Sequence, residues 1–372
     1  MHRLPTRPAA ATAISDDLRF THVASGARIA WARTGRGPTL VRVAHWMTNV
    51  EHDPRSPIWG PWLAQMGRSL QVIRYDERGC GSSGADDVAL GLDTALAELE
   101  AVIDATNEPR VALLGQSGAA APAIAYAVKY PERVSHLVLL GGYLRGQLAA
   151  APNAGADKSA DKDAVAFLEA KIRLTELGWG RADPAVQQLF TASFIPDATR
   201  EMAVEFNEQQ RLSCDGARAA RIMRARALLD VSALAPEVRC PTLVLHASGD
   251  LVVAVERGRE LAAAIPGARF EMLASNNHIP IPGDAAFDRF CDAITAFVAS
   301  PTSTSASALK LTPREHDLAE AVALGLDNLQ IAARLGIKDK TARNALSALY
   351  TKLAVEGRPQ AIVQLRAQGF GV

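Results

Sequence analysis

Three residues far apart in the chain have the types and the spacing of a nucleophilic catalytic set: Ser117, Asp250 and His278. Ser117 lies in Gly115-Gln116-Ser117-Gly118-Ala119, between a run of apolar residues and a helical pattern. Small residues two before and two after a serine allow a strand to turn into a helix so tightly that the serine takes a strained backbone geometry. Asp250 ends Ala247-Ser248-Gly249-Asp250, and His278 ends Ser275-Asn276-Asn277-His278. Their separation of 28 residues is that of one helical crossover between neighbouring parallel strands. In such a set His278 would accept the Ser117 proton, and Asp250 would fix the imidazole tautomer and stabilise the imidazolium. The plainer alternative makes Asp250 a cap for a helix beginning near Val255 and His278 a polar loop residue. A G-x-S-x-A string is weak alone; three coincidences on one sheet edge favour the triad.

That shared edge requires strands that alternate with helices. Short runs rich in Val and Leu predict strands at 18–22, 28–33, 39–44, 71–75, 110–115, 134–141, 242–246 and 269–273. Helical spacing falls between them at 90–106, 120–129 and 255–265, and again at 285–298. The pattern predicts an α/β fold with a mostly parallel sheet covered on both faces, and an antiparallel hairpin at one edge. Residues 164–177, 185–191, 200–212 and 214–229 read as helices without intervening strands. They predict a helical cap, spanning about 150–235, over the loop end of the sheet.

Residues 18–299 resemble an α/β-hydrolase-fold domain of the Ser-Asp-His type. The resemblance is carried by the serine elbow, the order Ser, Asp, His, and three segments: RYDERGCGSS at 74–83, KYPERVSHLVLLGG at 129–142 and CPTLVLHASGD at 240–250. It implies a backbone oxyanion hole with one donor at Gly118 and the other in the loop after the third strand. There the usual His-Gly-x is replaced by His45-Trp46, which makes Trp46 the donor by register and Met47 the alternative. Met47, Trp59 and Trp62 are candidate pocket residues, with core packing an equal alternative for the tryptophans.

Ser300–Ser307, SPTSTSAS, reads as part of a linker over 300–309, and about 62 helical residues follow. Thr312-Pro313-Arg314-Glu315 has the form of a capping box. A short helix at 328–335, the turn Gly336-Ile337-Lys338 and a longer helix at 339–353 then describe a helix-turn-helix. The outward face offers Lys338, Lys340, Thr341, Arg343, Asn344, Ser347 and Lys352 to DNA, while Ala342, Leu346 and Leu349 face inward. From spacing alone a docking or dimerisation unit is an equal alternative. Residues 311–353 are, however, similar nearly end to end to a LuxR-type helix-turn-helix domain. That likeness implies four helices over 310–372, double-stranded DNA as partner and a homodimer. Leu329, Ala342 and Ala345 depart from the usual Lys, Val and His, which implies weaker or oligomer-dependent binding.

Composition sets the bounds. The 372 residues carry 40 basic and 40 acidic side chains, which argues against a uniformly basic nucleic-acid binder until the chain is divided. Residues 310–372 hold nine basic and six acidic residues, a charge of +3, against −3 for the remainder. Four scattered cysteines without a CxxC pair predict neither a disulfide framework nor a metal site. Residues 1–17 read as a flexible arm without the apolar core of a signal peptide. No apolar run reaches membrane-spanning length, so a cytoplasmic protein without membrane association or cofactor is expected. The combination predicts a DNA-binding regulator whose hydrolase-fold domain binds, and can hydrolyse, a small ester- or lactone-like effector. Alternatives are a serine ester hydrolase whose tail dimerises or docks it, and a catalytically inactive interaction platform.

Overall fold

The computed structural model describes residues 17–45, 48–85, 88–149, 158–179, 181, 184–300, 311–353, 355, 357–367 and 370–371. The expected arm before Asp17, Trp46 and Met47, and the expected linker after Ser300 lie outside these residues. The chain divides into two compact units, 1–300 and 301–372.

The first unit is an eight-stranded sheet of β1 (Asp17–His22), β2 (Arg28–Gly35), β3 (Thr39–Arg42), β4 (Gln71–Tyr75), β5 (Val111–Gln116), β6 (Val134–Leu140), β7 (Thr242–Ala247) and β8 (Arg269–Leu273). The spatial order is β1-β2-β4-β3-β5-β6-β7-β8. The first two strands form an antiparallel hairpin at one edge, and β2 meets β4 antiparallel. All other pairings are parallel. The central strands β3, β5 and β7 are buried at every position, which is why they read as mainly apolar runs rather than alternating ones.

Side-chain alternation along those strands feeds two cores. Val41, Leu113, Leu137 and Val244 point to one face, where they pack with Leu99, Ile103, Ile124 and Leu261. Those residues come from α2 (Leu92–Thr106), α3 (Ala120–Lys129) and α8 (Val255–Ala264). Leu40, Ala112, Leu114, Val138 and Leu245 point to the other face and pack on Trp59, Trp62, Phe290 and Ile294. These belong to α1 (Trp59–Met66) and α9 (Ala285–Ala299).

Between β6 and β7 come α4 (Lys158–Gly178), α5 (Pro184–Phe194), α6 (Arg200–Ser213) and α7 (Gly216–Ala227). This helical excursion is fastened to the sheet's loop end by polar contacts. The Gly81 amide donates to Ser213 O at 2.7 Å, the Ile279 amide to Phe194 O at 3.3 Å, and Asp197 N to Asn277 Oδ1 at 3.1 Å.

The second unit holds α10 (Pro313–Ala323), α11 (Asn328–Leu335), α12 (Asp339–Lys352) and α13 (Arg358–Ala367) around Leu318, Val322, Ile331, Ala342, Leu346 and Leu349. Two capping boxes start its helices: Thr312 with Glu315, and Asp327 with Gln330. Gly336, in the left-handed region at φ 62°, ends α11 and makes the turn into α12. No helix among the described residues is long and apolar enough to cross a membrane.

Candidate active site and DNA-facing helix

Ser117 stands at the end of β5 with φ 52°, left-handed backbone that a non-glycine residue adopts at a cost of about 1–3 kcal/mol. The turn is tight enough that a Cβ on Gly115 would lie 2.9 Å from Ala119 O, Ala120 Cα and Ala123 Cβ. That crowding is the physical reason the elbow needs small residues. Ser117–Ala119 form a short 3-10 turn that leads directly into α3.

Asp250 and His278 follow the carboxyl ends of the adjacent strands β7 and β8. His278 Nδ1 donates to Asp250 Oδ2 at 2.6 Å, and both side chains are 1% exposed. Asp250 Oδ1 accepts from the amides of Val252 and Val253 at 2.8 and 2.9 Å. Burial opposes ionisation of Asp250, but the His278 ring and the two amides outweigh it and hold the carboxyl below its usual range. The capping alternative does not describe this residue, because α8 begins at Val255 behind Ala254 and has no side-chain cap. With Nδ1 committed to the carboxylate, Nε2 becomes the basic nitrogen, and it is buried without a hydrogen-bond partner.

Two glycines after β6 make room for this arrangement. A Cβ on Gly141, at φ 56°, would lie 2.9 Å from His278 Cε1, and one on Gly142 would lie 2.7 Å from Ala120 Cβ. Phe194, from α5, stands edge-on to His278 with ring centroids 5.4 Å apart. The structure shows no hydrogen bond between the Ser117 hydroxyl and Nε2; such contacts are often loose without a bound ligand and tighten in the complex.

Ser117, Gly118 and His45 line a cavity of about 470 Å³ beneath the helical excursion. His45 Nε2 accepts from the Arg42 guanidinium, so its proton sits on Nδ1. Burial first, then Arg42 and Arg226, push its pKa well below the ordinary histidine value and keep it neutral. The same Arg42 pairs with a buried carboxylate: Asp53 Oδ2 lies 3.4 Å from Arg42 Nη1 and 3.3 Å from Arg74 Nε. Asp76 accepts from the amides of Val50 and Ser82 at 3.0 and 2.9 Å. Burial raises its carboxyl to about 7.

Trp59 and Trp62 are not part of the cavity lining. They belong to α1, a helix that the sequence pattern did not predict, and are 0% and 1% exposed in the core. The Trp59 indole donates to Gln209 Oε1 at 2.6 Å and stacks under Arg42 at 4.0 Å. The Trp62 indole donates to Pro280 O at 2.7 Å. Trp59 therefore ties α1 to α6, and Trp62 ties it to the segment that follows His278. Trp46 and Met47, the other expected contributors, lie outside the described residues.

The cavity also contains residues that no motif marks, among them Tyr143 and Arg226. A Cβ on Gly118 would lie 3.1 Å from Tyr143 Oη and 3.3 Å from Arg226 Cβ, so both side chains crowd the amide that follows Ser117. Arg226 pairs with Glu77 at 3.0 Å and donates to Ala44 O at 3.2 Å. The only advance signal for Tyr143 is its place directly after the Gly141-Gly142 pair.

In the second unit Lys338, Lys340, Thr341, Arg343, Asn344 and Ser347 are all exposed along one side of α12 and its approach. Arg343 pairs with Asp339 one turn earlier. Lys352 is occupied differently: its Nζ lies 2.9 Å from both Glu315 oxygens, which ties the end of α12 to the start of α10. Lys352 and the Thr312 cap together lower the Glu315 carboxyl to about 2.

The comparisons with known proteins agree with this division. The sequence profile of the alpha/beta hydrolase fold matches residues 56–284, and that of bacterial regulatory proteins of the luxR family matches 309–365. A relative from Klebsiella pneumoniae (strain 342), named "Putative carbamate hydrolase RutD", is 29% identical over 247 residues, covering 64% of this chain and 88% of its own. Its counterpart from Escherichia coli O7:K1 is 28% identical over 225 residues, covering 59% and 79%. Among solved structures, an esterase from Exiguobacterium antarcticum superposes with a TM-score of 0.62 at 20% identity, over 76% of this chain and 99% of that one. The enol-lactonase from Burkholderia xenovorans LB400 gives 0.61 at 20% identity, over 75% and 99%. At such identities the structural likeness shows the fold alone.

Proposed function

The chain belongs to the alpha/beta hydrolase fold family and ends in a luxR-type domain, and from that premise we propose a ligand-responsive transcriptional regulator that retains a competent serine nucleophile. The observation that carries this reading is the occurrence, on one chain, of a cavity lined by Ser117 and a helix-turn-helix whose first helix is capped by Asp327 and whose second is exposed. The effector is a small ester- or lactone-like carbonyl compound.

The chemistry follows from the hydrogen bonds. Ser117 Oγ attacks the carbonyl carbon while its proton passes to His278 Nε2, and Asp250 stabilises the imidazolium. The Gly118 amide donates to the oxyanion, with a second donor from the 46–47 segment. Collapse breaks the bond to the alkoxide, which leaves with the proton from Nε2. Water, deprotonated by the same nitrogen, then attacks the acyl carbon, releases the acid and restores Ser117. A slow second half-reaction would keep the acyl group in the cavity long enough to act as a signal.

The second unit would read DNA through α12, with Arg343 and Asn344 directed at base edges and Lys338 and Lys340 at phosphates. A charge of only +3 favours a homodimer formed through α13, which doubles the electrostatic contribution. The intact Asp250–His278 pair also favours a second reading, a working ester hydrolase whose tail only dimerises or docks it. Footprinting of the full chain on the promoter region beside its own gene separates the two. The regulator reading requires salt-sensitive, sequence-selective protection at submicromolar protein; its absence leaves the hydrolase reading.

A further inference from the structure

The charge of the cavity wall is one-sided. Arg145, Lys171, Arg226 and Arg257 line it, and among the described lining residues there is no Asp or Glu. A buried or half-buried cation is costly unless something compensates it, so each of the four needs an account of its partner.

Arg226 has one, since Glu77 and Ala44 O take its guanidinium. The other three are not balanced in this way. Arg257 donates an Nη2 hydrogen to Arg145 O, but its Nε is buried without a hydrogen-bond partner. Arg257 also pairs with Glu260 on the same helix, Nε to Oε2 3.7 Å, in a solvent-facing contact whose side chains are 38% and 63% exposed. Arg145 bridges Asp230 through the backbone and acts on its carboxyl from a distance. The Lys171 ammonium sits over the Phe167 ring, 4.5 Å from its centroid, and is half-buried. Burial lowers its pKa, and no carboxylate among the described residues pairs with it.

The rest of the wall is apolar, with Leu168, Leu189, Phe190 and Phe194. One short segment connects the two ends. Gly141 abuts His278, Tyr143 reaches the Gly118 position, and Arg145 follows two residues later. At ~3.5 Å per residue, Arg145 lies within about 14 Å of Gly141 along the chain.

The geometry points to an anionic ligand for this cavity: a carbonyl compound carrying its own carboxylate, with the carbonyl at Ser117, the hydrocarbon chain along the apolar wall, and the carboxylate among Arg145, Lys171 and Arg257. A carboxylate there supplies the negative charge that the described cavity lining lacks, and a guanidinium can hold it through two hydrogen bonds. Neutral esters of the same length fill the apolar wall and leave Lys171 without an acidic partner among the described residues. This inference rests on the cavity being the ligand site proposed above, and it narrows the effector to a half-ester or a carboxylated lactone.

The test uses the full chain carrying Ser117→Ala, so that binding is read without turnover. Monomethyl adipate and dimethyl adipate are titrated calorimetrically at low and at high salt. The monoanion binds at least about tenfold more tightly, the factor that one charge-assisted hydrogen bond supplies. The ratio of the two affinities falls in Lys171→Gln and in Arg257→Gln, and Lys171→Arg restores it. Equal or tighter binding of the diester, or binding of neither at millimolar concentration, overturns the inference. Parallel turnover by the wild-type chain separates the two readings. Preferential binding of the monoanion without hydrolysis of either ester leaves this inference standing and removes catalysis. Faster hydrolysis of dimethyl adipate does the reverse.

Discussion

His278 Nδ1 donates to Asp250 Oδ2 at 2.6 Å, and Nε2 of the same ring is buried with no partner of its own. The carboxylate thus selects the tautomer whose free nitrogen can take a proton. Asp250→Asn keeps the size of the side chain but offers an amide where the ring needs an acceptor, so the wrong tautomer is favoured. Turnover of a short-chain nitrophenyl ester is expected to fall by about 10³–10⁴-fold with little change in KM. A loss below tenfold would show that Asp250 does not orient the base.

The elbow predicts a steric result. In Gly115→Ala the new Cβ meets three atoms at 2.9 Å, and forced overpacking of this kind costs about 1–3 kcal/mol. Because the displaced element carries Ser117, turnover falls together with thermal stability. Gly84→Ala serves as the control, since nothing lies nearer than 3.6 Å to its Cβ and its melting temperature stays near wild type. Equal behaviour of the two variants would contradict the crowding.

A pH dependence follows from Asp76. Burial raises its carboxyl from 3.8 to about 7, so the folded state binds the proton more tightly than the unfolded chain. Stability from this group is therefore complete below pH 4 and is lost as the pH rises towards 7. The shift corresponds to something on the order of 4 kcal/mol. Asp76→Asn cannot titrate and loses one of the two amide contacts, so it starts less stable. Its deficit relative to wild type, measured by urea unfolding, should shrink as the pH is raised from 4 to 7. A deficit independent of pH would place the Asp76 pKa near that of an ordinary carboxyl.

On α12 the exposed residues divide by what already holds them. Asn344→Ala should cost about 1–3 kcal/mol on the preferred operator and relax its sequence, and Arg343→Ala should cost less, because Asp339 already holds that guanidinium. Lys340→Ala should weaken all sequences alike and reduce the salt slope by about 1. Lys352→Ala should leave DNA affinity almost unchanged, because Glu315 holds that ammonium at 2.9 Å. A large affinity loss in Lys352→Ala would mean that the pair opens on DNA.

What could be read in the sequence tracks how local the physics is. The central strands read as mainly apolar runs because both faces are covered and every position is buried, and Thr312–Glu315 and Asp327 announce their helices through contacts three residues apart. Helix α1 was not legible. WGPWLAQM contains Gly60 and Pro61 and has little intrinsic helical preference, so its helix owes its existence to the burial of Trp59, Trp62, Leu63 and Met66 against the sheet. For the same reason Trp59 and Trp62 could be taken for pocket residues. The cations of the cavity come from 145, 171, 226 and 257, positions that only the fold brings together. The Lys352–Glu315 pair, 37 residues apart, was equally invisible.

The central claim is that the fold makes Ser117 a reactive nucleophile. Intact-mass measurement of the full chain after exposure to an alkyl fluorophosphonate tests it most directly. The account predicts a single adduct on the wild-type chain, mapped to the peptide containing Ser117, absent in Ser117→Ala and formed far more slowly in Asp250→Asn. A wild-type chain that takes up no label, or labels equally well after Ser117→Ala, would contradict it.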